Sequence, residues 1–531
     1  MESFVNIIQF NPTVGDIKGN ADKIMENFEQ GELNVTSEMS LIGYPPQDIL
    51  HREELYTEQE KAVSRISGNI ENGMLVIGAP QRKDGYLYNS ALVIDTDGIQ
   101  YVYSKNLLPT YDVFNEARYF RSDNDKLVFS YDGKEIGVTI CEDAWSDVEP
   151  NGITQHNEDP IMDYAEDDID LMLNLSASPY RYGKPENRVE RFKNHARKIN
   201  APVVFANQLG ANDELVFDGG SFIVDDDGLI NSLSSFQREN SRIPEGGSEE
   251  LVDAVTLGIS DYFQKTGFEK AVIGMSGGID SSVAVTLASD ALGSENVVGV
   301  SLPSQVSSRE SIEDAREVAT RLGIDFNVVS IKDAFNISKE DISDGGYGTD
   351  GITSENLQAR LRGVYLMAIS NSMGDSLVIT PDNKSEGAVG YCTLYGDTVG
   401  AVAPLGDLYK NQVYEIARFY NQSSRVSDDV LIPNRIIDKE PTAELKQDQS
   451  DTDDIPEYNS LDRFLEKYID DGQPIDLINS DLTDEEINEV VSRIHVSEFK
   501  RNQSPITLRV SDKDLSSGWR YPIAADYDFL N

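Results

Sequence analysis

Between Ala271 and Thr380 the chain alternates short apolar segments with longer amphipathic ones, and this alternation constrains the fold more than any other feature. A strand that is followed each time by a helix requires crossover connections, which predict a parallel, doubly wound sheet. Ligands bind such sheets beyond the carboxyl ends of the strands. The predicted strands are Ala271–Met275, Val297–Leu302, Phe326–Ile331 and Leu377–Thr380, and the predicted helices are Ser281–Ala291, Arg309–Leu322 and Glu355–Ser372.

The first half of the chain has a different pattern, with many short strand-like runs and few helices, which is typical of a layered α/β domain. A length of 531 residues is too great for one hydrophobic core. Residues 236–249 are polar and contain proline and paired glycines, so we predict a domain at 1–235, a linker at 236–249 and a second domain at 250–531. The predicted elements of the first half are strands Phe4–Phe10, Met74–Gly78, Ser90–Asp95, Glu135–Cys141, Leu171–Leu175, Val203–Asn207 and Ser221–Asp225, and helices Ala21–Gln30, Glu53–Ile66 and Pro185–Ile199.

Charge and cysteine content limit the possible partners and the compartment. The chain has 45 basic and 93 acidic residues, a formal net charge of −48, so its surface is expected to repel nucleic acids and anionic membranes. No segment approaches the roughly 20 apolar residues that span a bilayer, and Met1 leads directly into a strand pattern without an export signal. The only cysteines, Cys141 and Cys392, do not form a disulfide framework, which favours a cytoplasmic protein.

The strongest local motif lies where the first strand of the second half meets its helix. Glycines there let several N–H groups converge, and the start of the helix adds a field that favours an anion, so the motif predicts a phosphate site. It is not the common nucleotide loop, because no Gly-Lys-Ser/Thr follows. A carboxylate at Asp280 implies a bridging Mg²⁺. The alternative is a tight turn with a helix cap. The motif consists of Ser276, Gly277, Gly278, Ile279, Asp280, Ser281 and Ser282.

This motif resembles the pyrophosphate loop of the N-type ATP pyrophosphatases, and residues 355–362, 383–386, 390–397, 404–410 and 498–503 are similar to segments of the NAD synthetase family. The resemblance implies an adenine nucleotide alpha hydrolase type of Rossmann-like domain that binds ATP at residues 276–282. It also implies Mg²⁺ on Asp280 and Glu386, and the dinucleotide substrate near Arg360, Asp397 and Lys410. One segment departs from the family, which usually has Thr-Thr-Gly where this chain has Thr380-Pro381-Asp382.

In the first half, Cys141 closes an apolar strand within the segment 137–145. A cysteine in such a place is commonly a small buried hydrophobic residue. A nucleophilic thiol needs a base to remove its proton and a positive donor for the tetrahedral intermediate. Glu38, within 37–46, and Lys105, which begins 105–116, supply residues of these types.

These three segments resemble the nitrilase, or carbon–nitrogen hydrolase, superfamily, and specifically the glutaminase domain that is fused to NAD synthetase. The resemblance implies an α-β-β-α sandwich in which Glu38 is the general base, Lys105 stabilises the oxyanion and Cys141 forms a glutamyl thioester. It places the glutamine substrate at Tyr44, Tyr111, Glu116, Ser178 and Lys184.

The combined resemblance covers nearly the whole chain and implies a ligase, a glutamine-dependent NAD⁺ synthetase. Such an enzyme adenylates deamido-NAD⁺ with ATP and amidates it with ammonia from glutamine, giving NAD⁺, AMP, pyrophosphate and glutamate. Small molecules are the expected partners, and at least a homodimer is expected. The alternatives are a synthetase that uses ammonia alone, another glutamine-fed adenylating amidotransferase such as one acting on XMP, and a nucleotide-sensing scaffold without activity.

Overall fold

The computed structural model describes residues 4–147, 155–236, 247–427, 429–442, 444–446 and 449–527. The chain divides into two compact units, Met1–Gly246 and Gly247–Asn531. Most of the predicted linker, residues 237–246, lies outside the described residues, so the exact domain limits stay a prediction. Within the described ranges, no helix has the length and apolar character needed to cross a membrane.

The first unit contains two main β-sheets. The first sheet has the strand order β1-β2-β3-β4-β5, the second has the order β13-β12-β9-β8-β7-β6, and β10 and β11 form a separate hairpin. The strands are β1 Val5–Ile8, β2 Leu33–Thr36, β3 Met74–Lys83, β4 Tyr86–Asp95, β5 Gly98–Ser104, β6 Leu127–Tyr131, β7 Lys134–Ile140, β8 Leu171–Ser176, β9 Val203–Asn207, β10 Leu209–Asn212, β11 Leu215–Asp218, β12 Phe222–Val224 and β13 Leu229–Ser232; the helices are α1 Ile17–Glu26, α2 Glu53–Asn69 and α3 Lys184–Ile199.

Successive side chains of a strand point to opposite faces of its sheet, so each sheet packs against a different layer on each face. On β3, Val76 packs between the two sheets, whereas Leu75 and Ile77 pack against α1 and α2. On β8, Leu173 faces the core between the sheets, and Met172 packs with α3. The order is therefore helices, sheet, sheet, helix, which confirms the predicted α-β-β-α sandwich.

The second unit is built on one parallel sheet with the order β16-β15-β14-β17-β18-β19. The order reverses beside β14, as in a doubly wound fold, which confirms that prediction. Its strands are β14 Lys270–Gly274, β15 Val297–Ser301, β16 Asp325–Val328, β17 Ser376–Ile379, β18 Val402–Ala403 and β19 Ile506–Thr507; its helices are α4 Ser248–Thr266, α5 Ile279–Leu292, α6 Arg309–Leu322, α7 Lys332–Asp344, α8 Ile352–Met373, α9 Lys384–Ala388, α10 Lys410–Gln422, α11 Asn434–Asp438, α12 Tyr458–Leu465, α13 Asp484–Val496 and α14 Glu498–Arg501.

The predicted helix Ala21–Gln30 is displaced, because α1 begins at Ile17. The Asp16 side chain accepts a hydrogen bond from the Gly19 N–H and starts the helix a turn earlier than its apolar pattern indicates. At the other end, the N–H of Asn27 bonds to the carbonyl of Ile24 and the chain leaves the helix there. Local capping therefore decided both ends of this element.

Beyond the sheet, α12 and α13 enclose a separate apolar core that includes Trp519. His495 on α13 is buried there, and its Nε2 lies 2.8 Å from the hydroxyl of Tyr468. Burial, with a smaller effect of Arg501, lowers the pKa of His495 to about 4. The folded imidazole thus stays neutral at pH values where an exposed histidine is already protonated.

Because His495 is buried as a neutral group, we expect the free energy of unfolding to fall in acid. The pKa of His495 in the folded protein is depressed below the ordinary 6.5. The stability that this residue contributes to the fold is therefore present above pH 6.5 and is lost as the pH falls towards 4. The difference in unfolding free energy between pH 7 and pH 5 should therefore be roughly 1–2 kcal/mol smaller in His495→Gln than in the unsubstituted protein. Denaturant titrations at both pH values measure it, with exposed His51→Gln as control. Equal pH dependence in all three proteins would contradict this account.

Candidate active sites

Two carboxylates share one buried ammonium group in the first unit. Lys105 follows β5, is fully buried, and its Nζ lies 2.7 Å from Glu38 Oε1 and 2.8 and 2.9 Å from the two oxygens of Glu116. Although burial opposes the charge, Glu116 and Glu38 raise the pKa of Lys105 well above its ordinary value. Burial in turn raises the pKa of Glu116 to about 7, with Lys105 opposing the shift. The lysine is a fixed positive charge at the centre of this site.

Glu38 is held as a hydrogen-bond acceptor from three directions. Besides Lys105, the Nδ2 of Asn89 donates to Oε1 at 2.6 Å, and the N–H of Ala177 donates to Oε2 at 3.0 Å. Only 1% of Glu38 is exposed. Three donors therefore fix the orientation of this buried carboxylate, and a general base must be held in position to accept a proton.

Cys141 begins the turn Cys141–Ala144 directly after β7 and has a backbone φ of +41°. A positive φ is uncommon for a residue with a side chain and is frequent at functional sites. Burial raises the pKa of the Cys141 thiol well above its ordinary value, and the charge of Glu38 raises it further while Lys105 opposes this. The thiol is therefore held as a protonated group beside a carboxylate that can accept its proton.

The other predicted glutamine contacts surround this centre. The hydroxyl of Tyr44 donates to Glu116 at 3.0 Å. Tyr111 and Lys184 lie close enough to the Cys141 thiol to interact with it electrostatically. Burial lowers the pKa of Lys184 well below its ordinary value, and Arg188 and Arg181 add to this. The N–H of Ser178 is engaged by the Asn207 side chain at 2.9 Å.

Three further side chains belong to this region, although the sequence did not single them out. Asp143 accepts hydrogen bonds from the N–H groups of Ile140, just before Cys141, and of Asn106 and Leu107, just after Lys105. It thereby ties the nucleophile turn to the lysine segment. Glu142 accepts from Tyr111 at 3.0 Å and lies 3.0 Å from His156 Nε2. Asp143 and Glu142 could have been noted from their position beside Cys141, whereas nothing in the sequence indicates His156.

In the second unit, the predicted phosphate motif joins β14 to α5, beside the point where the strand order reverses. Gly278 is the N-cap of α5, and its N–H bonds to Ser276 Oγ at 3.2 Å. Ser276 Oγ and Ser281 Oγ are 3.1 Å apart, and Ser282 Oγ donates to the Gly278 carbonyl at 2.8 Å. The loop is thus shaped by its own serines and lies at the start of a helix, where an anion is stabilised.

Gly277 is the position where this loop requires glycine. Its φ is +84°, and a Cβ placed there would lie 2.2 Å from the backbone oxygen of Ser311 at the start of α6. Gly278 has an ordinary φ of −90°, and a Cβ placed there would lie 3.3 Å from its nearest neighbour, the Ser276 Oγ. Only one of these two adjacent glycines is therefore fixed by backbone sterics.

We expect Gly277→Ala to destabilise the protein by roughly 2–3 kcal/mol, because left-handed strain and a backbone clash add together. Gly278→Ala is the matched control, with an expected loss of less than about 1 kcal/mol. Thermal unfolding of the two variants measures the difference. Equal losses would contradict the close approach of residues 277 and 311.

A second shared ammonium lies next to the loop. Lys410, at the start of α10, is 2% exposed, and its Nζ lies 2.7 Å from Asp280 Oδ2 and 2.9 Å from Glu386 Oε1. Asn383 Nδ2 donates to Asp280 at 3.0 Å, and the Tyr458 hydroxyl donates to Glu386 at 3.0 Å. The structure thus brings together the two predicted metal ligands and the lysine that was predicted to lie near the dinucleotide substrate, although the three residues are separated in sequence.

Two more aspartate side chains are buried near this cluster. Burial raises the pKa of Asp382 well above its ordinary value, and Asp397, Glu386 and Asp280 each raise it further. Burial also raises the pKa of Asp397 to about 6, although its Oδ1 accepts the N–H of Thr393 at 2.6 Å. Arg360 on α8 donates from Nε to the Leu394 carbonyl at 3.1 Å, in the segment that carries Asp397. The departure at Asp382 therefore adds a carboxylate to an already acidic site.

Comparison with known families assigns a class to each unit. The carbon–nitrogen hydrolase family matches residues 4–243, and the NAD synthase family matches residues 251–504. The glutaminase-type carboxylate, lysine and cysteine cluster lies in the first region, and the anion loop lies in the second. The protein is therefore of the class in which a carbon–nitrogen hydrolase unit is joined to an NAD synthase unit.

Full-length relatives narrow this class. The glutamine-dependent NAD(+) synthetases of Synechocystis sp. and Thermotoga maritima are each 38% identical, and each alignment covers 98% of this chain and 98% of the relative. The structure of the Acinetobacter baumannii glutamine-dependent NAD⁺ synthetase in complex with ADP is 33% identical, has a TM-score of 0.74, and covers 98% of both chains. This chain belongs to the family of glutamine-dependent NAD(+) synthetases.

Proposed function

We propose that this enzyme makes NAD⁺ from deamido-NAD⁺, ATP and glutamine, and that the residues described above carry both half-reactions. The observation that supports this most is the presence of two separate buried lysine–carboxylate sites, one in each unit. The first lies beside a cysteine and the second lies beside an anion loop. Relatives that match over nearly the full length are named glutamine-dependent NAD(+) synthetases.

In the first unit, Glu38 takes the proton of the Cys141 thiol as the sulfur attacks the side-chain amide of glutamine. The C–S bond forms, and negative charge develops on the amide oxygen, where the ammonium of Lys105 stabilises it. The C–N bond then breaks, and the proton held by Glu38 leaves with the nitrogen as ammonia. Water cleaves the resulting thioester with Glu38 again acting as base, which releases glutamate and restores the thiol.

In the second unit, the nicotinate carboxylate of deamido-NAD⁺ attacks the α-phosphorus of ATP, and pyrophosphate leaves. The loop at 276–282 binds the pyrophosphate portion at the start of α5. Lys410 offsets negative charge on the reacting phosphate. Ammonia then attacks the acyl-adenylate, the bond to AMP breaks, and NAD⁺ is formed.

Asp280 and Glu386 fit a Mg²⁺ ion, because both carboxylates converge on the ammonium of Lys410. Their two negative charges outnumber its single positive charge, so a divalent cation could bind there. Among the described residues, no group of three or more potential ligands forms a complete metal site. Mg²⁺ commonly uses one or two carboxylates and completes its shell with phosphate oxygens and water. When bound, the ion would neutralise charge on the triphosphate.

We also propose that the enzyme forms at least a homodimer and works in a reducing cytoplasm. Helix α8 exposes three apolar side chains, Ile352 at 72%, Val364 at 61% and Met367 at 41%. Exposed apolar surface is often covered by a partner subunit, which supports the proposed dimer. The two cysteines are free thiols in different units, as is usual for cytoplasmic proteins. Sedimentation velocity of the full chain tests the assembly, and a monomer at micromolar concentration would contradict it.

Product analysis tests the acceptor. The enzyme is supplied with ATP, Mg²⁺, glutamine and either deamido-NAD⁺ or XMP, and pyrophosphate, NAD⁺ and GMP are measured. We expect NAD⁺ and an equal amount of pyrophosphate with deamido-NAD⁺, and no GMP with XMP. Amidation of XMP, or pyrophosphate release without NAD⁺, would contradict the proposed function.

A further inference from the structure

Asn89 on β4 is fully buried at the glutaminase site, and it lies outside the segments 37–46, 105–116 and 137–145 that carry the family resemblance. Its Nδ2 donates to Glu38 Oε1 at 2.6 Å and reaches Glu116 Oε2 at 3.4 Å. Its backbone carbonyl accepts the N–H of Lys105 at 2.8 Å. A single residue therefore contacts the proposed base, the second carboxylate and the backbone of the proposed oxyanion lysine.

The hydrogen bonds of Glu38 are unevenly distributed over its two oxygens. A carboxylate offers about four lone-pair sites, two on each oxygen. Oε1 accepts from both Lys105 and Asn89, so both of its sites are used. Among the described residues, Oε2 accepts only from the Ala177 N–H at 3.0 Å, which leaves one site for a proton.

We propose that Asn89 is a positioning residue that saturates Oε1 of Glu38 and thereby makes Oε2 the oxygen that receives the proton of the Cys141 thiol. This inference rests on the proposed glutaminase function. Without the amide, Oε1 has a free site, and the carboxylate can rotate or take its proton on the side that faces Lys105. The proton would then be held away from the departing nitrogen.

The orientation of the Asn89 amide supports a donor role. Its Oδ1 is buried and has no hydrogen-bond partner among the described residues, while Nδ2 points towards two carboxylates. A buried acceptor without a partner is unfavourable, and the hydrogen bonds that Nδ2 donates to the two carboxylates offset this cost. The reversed amide would direct Oδ1 at Glu38 and Glu116 and would repel both.

Two substitutions separate donation from space filling. Asn89→Ala removes the side chain, and Asn89→Asp keeps its shape while replacing the donor with an acidic oxygen. Ser90→Ala is the matched control, because Ser90 is the next residue of β4 and is equally buried, and among the described residues its side chain bonds only to Ser104 Oγ, at 3.1 Å. For each protein, NAD⁺ formation is measured with glutamine and with ammonium across pH.

We expect Asn89→Ala to lower kcat with glutamine by roughly 10- to 100-fold with little change in KM for glutamine. A hydrogen bond to a carboxylate stabilises its charged form, so losing this donor should move the acid limb of the glutamine-dependent pH profile to higher pH. Asn89→Asp should be at least as impaired as Asn89→Ala, and both variants should keep ammonium-dependent activity. Ser90→Ala should stay within about two-fold of the parent protein.

The proposal is overturned if Asn89→Ala stays within two-fold of the parent with glutamine, or if its acid limb does not move. It is also overturned if Asn89→Asp is much more active than Asn89→Ala, because shape alone would then matter. Loss of ammonium-dependent synthesis in both variants would show that the residue only maintains the fold. Failure of the proposed function itself is distinguishable, because the parent protein would then not use glutamine at all.

Discussion

Replacing Cys141 with alanine is expected to lower glutamine-dependent NAD⁺ formation by at least about 10³-fold, because no covalent thioester can form without the thiol. Ammonium-dependent formation should stay within about two-fold of the parent protein, because the synthetase site lies in the other compact unit. Initial rates with glutamine and with ammonium, at saturating ATP and deamido-NAD⁺, measure both values. The ratio of the two rates reports the glutaminase step alone.

The matched control is the other cysteine. Cys392→Ala removes a thiol whose pKa is also raised by burial, but Cys392 lies in the second unit, without the Glu38 and Lys105 charges. It should leave glutamine use intact relative to ammonium use. A Cys141→Ala enzyme that still consumes glutamine at the parent rate would remove the proposed nucleophile.

The second large effect is expected at Lys410. Lys410→Met removes the ammonium between Asp280 and Glu386, and we expect kcat to fall about 10²- to 10³-fold with glutamine and with ammonium alike. The reason is that adenylation precedes the use of either nitrogen source. Pyrophosphate release measured without any nitrogen donor should fall by a similar factor, which locates the loss in the adenylation step.

Loss of one partner of a buried charge cluster also destabilises a fold, so the thermal midpoint must be measured beside the rates. Lys467→Met serves as control, since Lys467 is a 44% exposed lysine of the same unit that pairs with Asp471 at 2.7 Å. It should leave rates and unfolding within experimental error of the parent. A Lys410→Met enzyme that keeps normal adenylation would assign the lysine to stability and not to catalysis.

Much of the fold could be predicted because the sequence periodicity was strong. The prediction for helix Arg309–Leu322 matches α6 at both ends, and β14 and β17 are displaced from their predictions by one residue. Strand β2 was missed because Leu33–Thr36 is only four residues long and buried on both faces, so it shows no alternation. Strands β18 and β19 were not predicted either, since they are two residues each and are defined only by pairing with distant strands.

Some residues of the candidate sites could likewise be predicted from the sequence, and others could not. Residues that sit in recognisable motifs, such as Cys141 and Asp280, could be chosen from the sequence. Asn89 and His156 could not, because each becomes part of a site only when the fold brings it to a glutamate 51 or 14 residues away along the chain. The direct contact of Lys410 with Asp280, across 130 residues, likewise depends on the parallel sheet order.

If the two sites act in sequence, nitrogen released at Cys141 enters the dinucleotide made at the second site. Glutamine labelled with ¹⁵N in its side-chain amide is incubated with the enzyme, ATP, Mg²⁺ and deamido-NAD⁺, and the NAD⁺ is analysed by mass spectrometry. We predict ¹⁵N in the nicotinamide group with the parent protein and none with Cys141→Ala supplied with unlabelled ammonium as a second donor. Unlabelled NAD⁺ from the parent protein, or label that persists in Cys141→Ala, would contradict the account.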